Sequence, residues 1–339
     1  MELIRGIHNL RKEHLGCVAT IGNFDGVHRG HQRILQQVRE IAARLRKPTT
    51  VMVFEPQPRE FFAGEQAPPR INSFREKVER LTEYGAERIV CLQFNSRLRQ
   101  LTAEEFVQQI LVDGLGITHL VVGDDFRFGC DRSGDFHLLQ KLGPQKGFSV
   151  EHTHTYLVDD ERVSSTRVRE QLMQGNLSEA ARLLGRPHKF SGRVVHGRKL
   201  GRTLGVPTAN LLLGDRKPAL NGVFSVLVTL PNGLPHPGIA NIGLRPTVDG
   251  LVPALEVHLL GFDGNLYGKR LEVFALAKLR DEQKFAGLDA LKSQINKDID
   301  QCQQFFKRHN PLWQSGEYWL TSAAAPLLAK APLQVNTPF

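Results

Sequence analysis

Two histidines, His28 and His31, stand three residues apart in the run Gly22-Asn23-Phe24-Asp25-Gly26-Val27-His28-Arg29-Gly30-His31. The apolar segment Cys17–Ile21 ahead of it reads as a buried strand. Ile34, Leu35, Val38, Ile41, Ala42 and Leu45 after it recur at helical spacing. The histidines therefore fall at the start of a helix, where backbone N–H groups lack helical partners and the dipole is positive. Phosphate binds readily at that end of a helix. Paired imidazoles there can face a phosphate and stabilise charge developing on it. Glycine at 22, 26 and 30 lets the backbone approach a ligand closely. The Gly-Lys-Ser/Thr of a P-loop is missing.

Other stretches carry chemistry-bearing residues at useful spacing. Ser164-Ser165-Thr166-Arg167-Val168-Arg169 puts hydroxyl residues ahead of a helical run, Val168 to Leu172, with Arg169 one turn in. From His196 to Asn210, glycines alternate with basic residues and end in Thr208 and Asn210, two apart. On a strand these two share a face. Their hydroxyl and amide oxygens are hard donors that suit Mg²⁺ held between phosphates; a basic, glycine-rich hairpin is the plainer reading. Glu256 interrupts an otherwise apolar strand, Ala254–Leu260. The loops Phe54-Glu55-Pro56-Gln57-Pro58-Arg59-Glu60-Phe61-Phe62 and Gly123-Asp124-Asp125-Phe126-Arg127-Phe128-Gly129 each follow a strand. Each reads either as a rigid exposed loop or as a groove with aromatic faces for a flat anionic ligand. His152 and His154 alternate, which fits a half-exposed strand better than a metal site.

The elements that must position these residues differ between the two halves. From 17 to 123, apolar strands (Cys17–Ile21, Thr49–Phe54, Ile89–Phe94, His119–Val122) alternate with helical patterns such as Phe74–Leu81, and Thr102 with Glu105 forms a capping box. Such alternation predicts a parallel sheet with helices on both faces and ligands at the carboxyl ends of its strands. Asp159-Asp160-Glu161 reads as a hairpin turn. Near Leu184-Gly185-Arg186-Pro187 the pattern changes to short strands punctuated by Gly and Pro: Gly192–His196, Val206–Leu213, Val223–Leu230, Gly238–Ile242 and Ala254–Leu260. These predict a small antiparallel barrel. A last helix follows, with Leu288, Leu291, Ile295, Ile299 and Cys302 on one face.

His28-Arg29-Gly30-His31 resembles the His-x-Gly-His signature of the nucleotidylyltransferases. The longer run from Gly22 resembles the adenylyltransferase half of the bacterial riboflavin kinase/FAD synthetase family. Ser164-Ser165-Thr166-Arg167-Val168-Arg169 is similar to the superfamily's second signature. Gly201-Arg202-Thr203-Leu204-Gly205-Val206-Pro207-Thr208-Ala209-Asn210 resembles the riboflavin kinase signature, and Asn241-Ile242-Gly243-Leu244-Arg245-Pro246-Thr247 and Leu279–Phe285 resemble further family segments. The resemblance covers about residues 15–306. It implies a nucleotidylyltransferase-like (Rossmann-like) α/β domain at 1–184 and a riboflavin kinase barrel with a C-terminal helix at 185–308. It implies phosphorylation of riboflavin to FMN, then adenylylation of FMN to FAD, with ATP as substrate at both sites and Mg²⁺ as cofactor. ATP would meet Gly22, Asn23, Phe24, Asp25, His28, His31, Ser164, Ser165, Thr166 and Arg169 in the first domain. In the second it would meet Gly197, Gly201, Arg202, Gly205, Thr208 and Asn210, the last two also as metal ligands. Glu256 would be the general base and lie, with Arg280, near the kinase flavin. Pro56, Pro58, Arg59, Phe62, Asp125 and Phe126 would lie near the adenylyltransferase flavin. The sequence departs from the common Pro-His-Pro at Gln57 and from the common Asp at Asn265.

Composition is ordinary for a soluble globular protein: 339 residues, 41% hydrophobic and 23% charged, with 44 Lys and Arg against 35 Asp and Glu. The net charge of +9 favours anionic partners, but there is no long basic block and no aromatic-basic RNA signature. The four cysteines are far apart, and Cys17 and Cys91 fall in apolar runs. The start lacks a signal-peptide core and no apolar run spans a bilayer, so a reducing cytoplasm is the expectation. A flavin or nucleotide sensor without catalysis is the competing class. Residues 309–339, rich in Ala and Pro, are expected to form a mobile tail.

Overall fold

The computed structural model describes residues 1–309, apart from 124, 154, 198, 199, 215, 216, 248 and 249. The expected tail, with Trp313 and Trp319, lies outside these residues, as does His154. The chain forms two compact units: Met1–Pro68 with Phe74–Ser164, and Pro69–Ser73 with the residues from Ser165 onward.

The first unit is a parallel sheet of six strands: β1 (Glu2–Arg5), β2 (Val18–Ile21), β3 (Thr49–Glu55), β4 (Arg88–Gln93), β5 (His119–Gly123) and β6 (Ser149–Thr153). The order is β1-β4-β3-β2-β5-β6, and every pairing is parallel. Helices cover both faces, as burial of parallel strands requires. They are α1 (Arg29–Leu45), α2 (Pro58–Ala63), α3 (Phe74–Glu83), α4 (Ser96–Arg99), α5 (Ala103–Phe106) with a π-helical continuation to Val112, and α6 (Phe136–Lys146). Val18 and Val121 pack against Val38, Ile41 and Ala42 of α1. Ala19, Ile21, Leu120 and Val122 face Phe106, Ile110 and Leu139 on the other side. Leu45, expected on the buried stripe of α1, is exposed. The capping box at α5 is present: Thr102 N–H donates to Glu105 at 2.8 Å and Glu105 N–H to the Thr102 hydroxyl at 3.2 Å. The strands β7 (Leu157–Val158) and β8 (Glu161–Arg162) form a hairpin, with Asp159 and Asp160 both at positive φ.

The second unit contains α7 (Ser165–Gln174) and α8 (Leu177–Leu184), then a closed antiparallel barrel. Its strands are β9 (Lys189–Val195), β10 (Ala209–Leu212), β11 (Gly222–Thr229), β12 (Pro235–Thr247), β13 (Gly250–Leu259) and β14 (Arg270–Arg280). The order is β10-β13-β12-β11-β14-β9, closed by pairing of β9 with β10. A short α9 (Leu200–Thr203) precedes β10, and α10 (Leu288–His309) ends the described chain. Closure leaves no free sheet edge. Phe224, Val226, Val228, Leu255, Val257, Leu271 and Val273 are fully buried. On β11, Val223 and Leu227, which alternate with these, pack with Ile239 against Cys302 and Phe306 of α10.

Candidate active sites

In the first unit the strand order reverses at β2: β3 and β4 lie on one side and β5 on the other. The crevice at such a switch point is where open α/β sheets bind ligands. The run Gly22–His28 connects β2 to α1 at that place. Phe24, Asp25, Val27 and His28 are all buried. Phe24 has φ 47° and Val27 φ 41°, left-handed conformations that non-glycine residues rarely adopt. They cost about 1–2 kcal/mol each, and the burial of both side chains holds them there.

His28 is the N-cap of α1. Its Nδ1 accepts from the His31 N–H at 3.4 Å. An Nδ1 that accepts leaves the proton of the neutral ring on Nε2, which makes Nε2 a donor. The His28 and His31 rings stack with centroids 3.6 Å apart and planes at 18°. Phe24 packs on His31 at 4.9 Å. Gly30 lies under the His28 ring: a Cβ there would stand 3.2 Å from Cε1 and Nδ1, and 3.4 Å from the Val163 carbonyl. The segment ending at Ser164 thus runs beside the His-x-Gly-His turn. The result is a helix N-terminus with two stacked imidazoles, suited to charge on a phosphate.

The loops after β3 and β5 take definite forms. Pro58 is the first residue of α2, and the Gln57 N–H donates to Glu60 at 2.9 Å. Phe62 is exposed, beside Phe61 and Phe94, with the Arg99 guanidinium over its ring at 5.5 Å. Pro56 joins Glu55 through a cis bond, and Arg59 is exposed on α2. Asp125 is exposed and pairs with Arg162 at 2.7 Å, while Phe126 stacks on Phe128 at 5.4 Å.

In the second unit Ser165 and Thr166 open α7, as the hydroxyl run predicts. Arg169 Nε donates to the Pro69 carbonyl at 2.7 Å. Arg167 and Arg182 both bind Glu179 of α8.

On the barrel, Asn210 of β10 is directly opposite Glu256 of β13, and Glu256 is opposite Asn241 of β12. Residues opposite one another on paired strands point to the same face, so the three form a row. Leu255 and Val257 are fully buried while Glu256 is half-buried, which places the row on the barrel's outer face. Thr208 lies just ahead of β10. It lines a cleft of about 510 Å³ with Arg202, Leu259, Phe262 and Tyr267. With Gly197, Arg202, Asn210 and Tyr267 it also lines a recess of about 20 Å³. Gly201 and Gly205 flank the turn into β10; the Val206 N–H donates to the Gly201 carbonyl at 2.7 Å. Arg280 is engaged by Asp298 of α10, Nη2 to Oδ2 at 2.8 Å, and its guanidinium lies over Phe285. Sequence reasoning gives no role to Arg245 or Glu282, yet Arg245 bridges Glu256 and Glu282. Arg245 lies 3.1 Å from each carboxylate.

Among the described residues no group of three or more His, Cys, Asp or Glu side chains could hold a metal ion. No helix there is long and apolar enough to cross a membrane. The cysteines at 17, 91, 130 and 302 carry free thiols.

Known proteins match this arrangement along nearly its whole length. The FAD synthetase family model matches residues 10–167, and the riboflavin kinase family model matches residues 184–306. The bifunctional riboflavin kinase/FMN adenylyltransferase of Pseudomonas fluorescens is 57% identical over 300 residues, covering 88% of this chain and 96% of the relative. The Escherichia coli K12 protein of the same name is 49% identical, covering 92% of this chain and 100% of the relative. A Streptococcus pneumoniae crystal structure described as a macrolide-efflux protein superposes with a TM-score of 0.74 at 30% identity. It covers 88% of this chain and 97% of that one. With a parallel-sheet nucleotide fold matched by one family model and a closed barrel by the other, in the order that full-length relatives share, the chain belongs to the bifunctional riboflavin kinase/FMN adenylyltransferase family.

Proposed function

We propose that this enzyme makes FAD from riboflavin in two ATP-dependent steps. One observation supports the reading: a single chain carries two different folds, each with a cluster of residues suited to phosphate chemistry. These are the stacked histidines at the start of α1 and the Thr208, Asn210 and Glu256 group on the barrel. Functionally we divide the chain at 184/185, with adenylyl transfer assigned to 1–184 and phosphoryl transfer to 185–308.

In the first step the riboflavin 5′-oxygen attacks the γ-phosphorus of ATP. A new O–P bond forms, the bond to the β-phosphate oxygen breaks, and ADP leaves. A ribityl hydroxyl is a poor nucleophile, so a carboxylate that takes its proton is useful, and Glu256 is that base. Thr208 and Asn210 offer hard oxygen donors around a recess with room for one ion or water, which suits Mg²⁺. Bound there with ATP, the ion would spread the negative charge of the phosphoryl group. Arg202 and the glycine turn are assigned to the phosphates.

In the second step an FMN phosphate oxygen attacks the α-phosphorus of a second ATP, and pyrophosphate leaves. The nucleophile is already anionic, so it needs no base. His28 and His31 stabilise the charge that builds on the α-phosphoryl oxygens. Well-placed donors of this kind contribute about 3–4 kcal/mol in other enzymes. Arg169 and the hydroxyls at 164–166 are assigned to the pyrophosphate portion. A supply of ATP and free thiols throughout fit a cytoplasmic enzyme.

Chromatography of the products after incubation with riboflavin, ATP and Mg²⁺ tests the assignment. His28→Ala should stop FAD formation and spare FMN formation. Glu256→Gln should lower riboflavin phosphorylation by about 100-fold or more while supplied FMN is still converted to FAD. Loss of both activities in a folded His28→Ala enzyme would refute the division of labour. Riboflavin phosphorylation at the wild-type rate in Glu256→Gln would remove Glu256 as the base.

A further inference from the structure

Arg245 beside Glu256, and Glu282 beside Arg245, have no part in the two proposed steps. Arg245, farther along β12, turns back to place its Nε 3.1 Å from Glu256 Oε1. Its Nη1 lies 3.1 Å from Glu282 Oε1. Glu282 follows the end of β14 and also accepts from Asn221 Nδ2 at 3.3 Å. The Glu282 carboxylate rests against the backbone of Gly243, in space that any Cβ at that position would fill. Arg245 thus lies between two carboxylates, all three side chains about one-third exposed. Burial pulls its pKa down, and Glu256 and Glu282 together more than reverse that, leaving the guanidinium firmly charged.

The geometry of Glu256 is as informative as its partners. Arg245 takes only Oε1, and among the described residues no donor bonds to Oε2. The flanking residues on the paired strands, Asn210 and Asn241, are uncharged. A glutamate has a long, freely rotating side chain. A planar guanidinium fixed at its far side can hold one carboxylate oxygen in a set direction, which a point-like ammonium does less well. A base must be held to within about 0.5 Å to be effective.

We infer that Arg245, itself anchored by Glu282, is a positioning residue for phosphoryl transfer: it holds Glu256 by Oε1 so that Oε2 is presented to the substrate hydroxyl. The inference rests on the assignment of Glu256 as the base. It gives the segments around Arg245 and Glu282 a specific task within the kinase site. Glu282 supplies the second anchor and offsets the positive charge that Arg245 brings to the base.

Steady-state riboflavin phosphorylation by the full chain tests this with Arg245→Met, Arg245→Lys, Glu256→Gln and the Arg245→Met/Glu256→Gln double variant. Arg245→Met should lower kcat by about 10–100-fold, the cost of a misplaced catalytic group. KM for riboflavin and for ATP should stay within about threefold, which also shows that the barrel is folded. Arg245→Lys should recover part of the loss. In the Glu256→Gln background, Arg245→Met should have less than about a twofold further effect, because the group it positions is gone. Conversion of supplied FMN to FAD should be unchanged throughout. An equal loss in both backgrounds would overturn the inference, since Arg245 would then act independently of Glu256. A large rise in KM with kcat preserved would also overturn it, by making Arg245 a substrate-binding group. A Glu256→Gln enzyme with wild-type kcat would instead refute the base assignment itself.

Discussion

Phe24 and Val27 show what the nucleotide turn demands of single residues. Each accepts an unfavourable left-handed backbone, and each is held there by complete burial of its side chain. Strain of this kind collects where a chain must aim functional groups. Gly30 carries the complementary demand, for space rather than backbone freedom. Gly30→Ala should favour the helix by up to about 1 kcal/mol, so the melting temperature should hold or rise. The new methyl would nonetheless press on the His28 ring 3.2 Å away. FMN adenylylation should fall about 10–100-fold, with riboflavin phosphorylation unchanged, as separate assays with each flavin would show. The sequence singles out His28, His31 and Glu256 because their residue types and placement are unusual in themselves. Arg245 as the partner of Glu256, and Glu282 as the partner of Arg245, were not legible. They stand 11 and 26 positions from Glu256 in the chain and line up as Glu256, Arg245, Glu282 only because the fold brings them together.

At the scale of elements, periodicity carried most of the fold. The alternation of strands and helices gave the parallel sheet, and the short punctuated strands gave the barrel. β14 has no counterpart among the expected strands, although Leu271, Val273 and Ala275 alternate inward in the pattern of a half-buried strand; no glycine or proline marks its interior. The four-residue edge strand β1 was too short for any periodicity to show. The junction of α8 and β9 hides another feature. His188 is fully buried there, its Nε2 without a hydrogen-bond partner among the described residues, its ring edge-on to Phe190 at 4.8 Å. Burial, helped by Arg186, pushes its pKa down to about 3. The folded unit therefore keeps the ring neutral where the unfolded chain protonates it. Stability is full above about pH 6.5 and is lost progressively as pH falls toward 3. The loss from this residue should reach about 2 kcal/mol by pH 5. Urea unfolding at pH 7 and pH 5 measures it, and His188→Phe should remove that part of the pH dependence.

For the whole molecule, two reactions in sequence share one flavin, and FMN is both product and substrate. With each activity assigned to different residues, a chain lacking one should serve as a source or a sink for a chain lacking the other. Mixing His28→Ala with Glu256→Gln, each inactive from riboflavin to FAD, should restore FAD synthesis at a rate that rises with the concentration of both. Chromatographic quantitation of FAD over time gives the answer; no recovery would mean that FMN must pass within a single chain.

The path of the backbone has a consequence for how such a gene can be inherited. The chain leaves its first unit at Pro68, returns at Phe74, and leaves again after Ser164. In those five borrowed residues, the Arg70 N–H donates to the Lys217 carbonyl, the Ala219 N–H donates to the Arg70 carbonyl, and the Pro69 carbonyl receives Arg169. A reading frame broken between codons 164 and 165 would leave this strap on the wrong polypeptide, and the second product would be missing a piece of its own fabric. Fission into two monofunctional genes would require those codons to be copied as well as cut, so a single frame is the form in which the two activities travel most easily together.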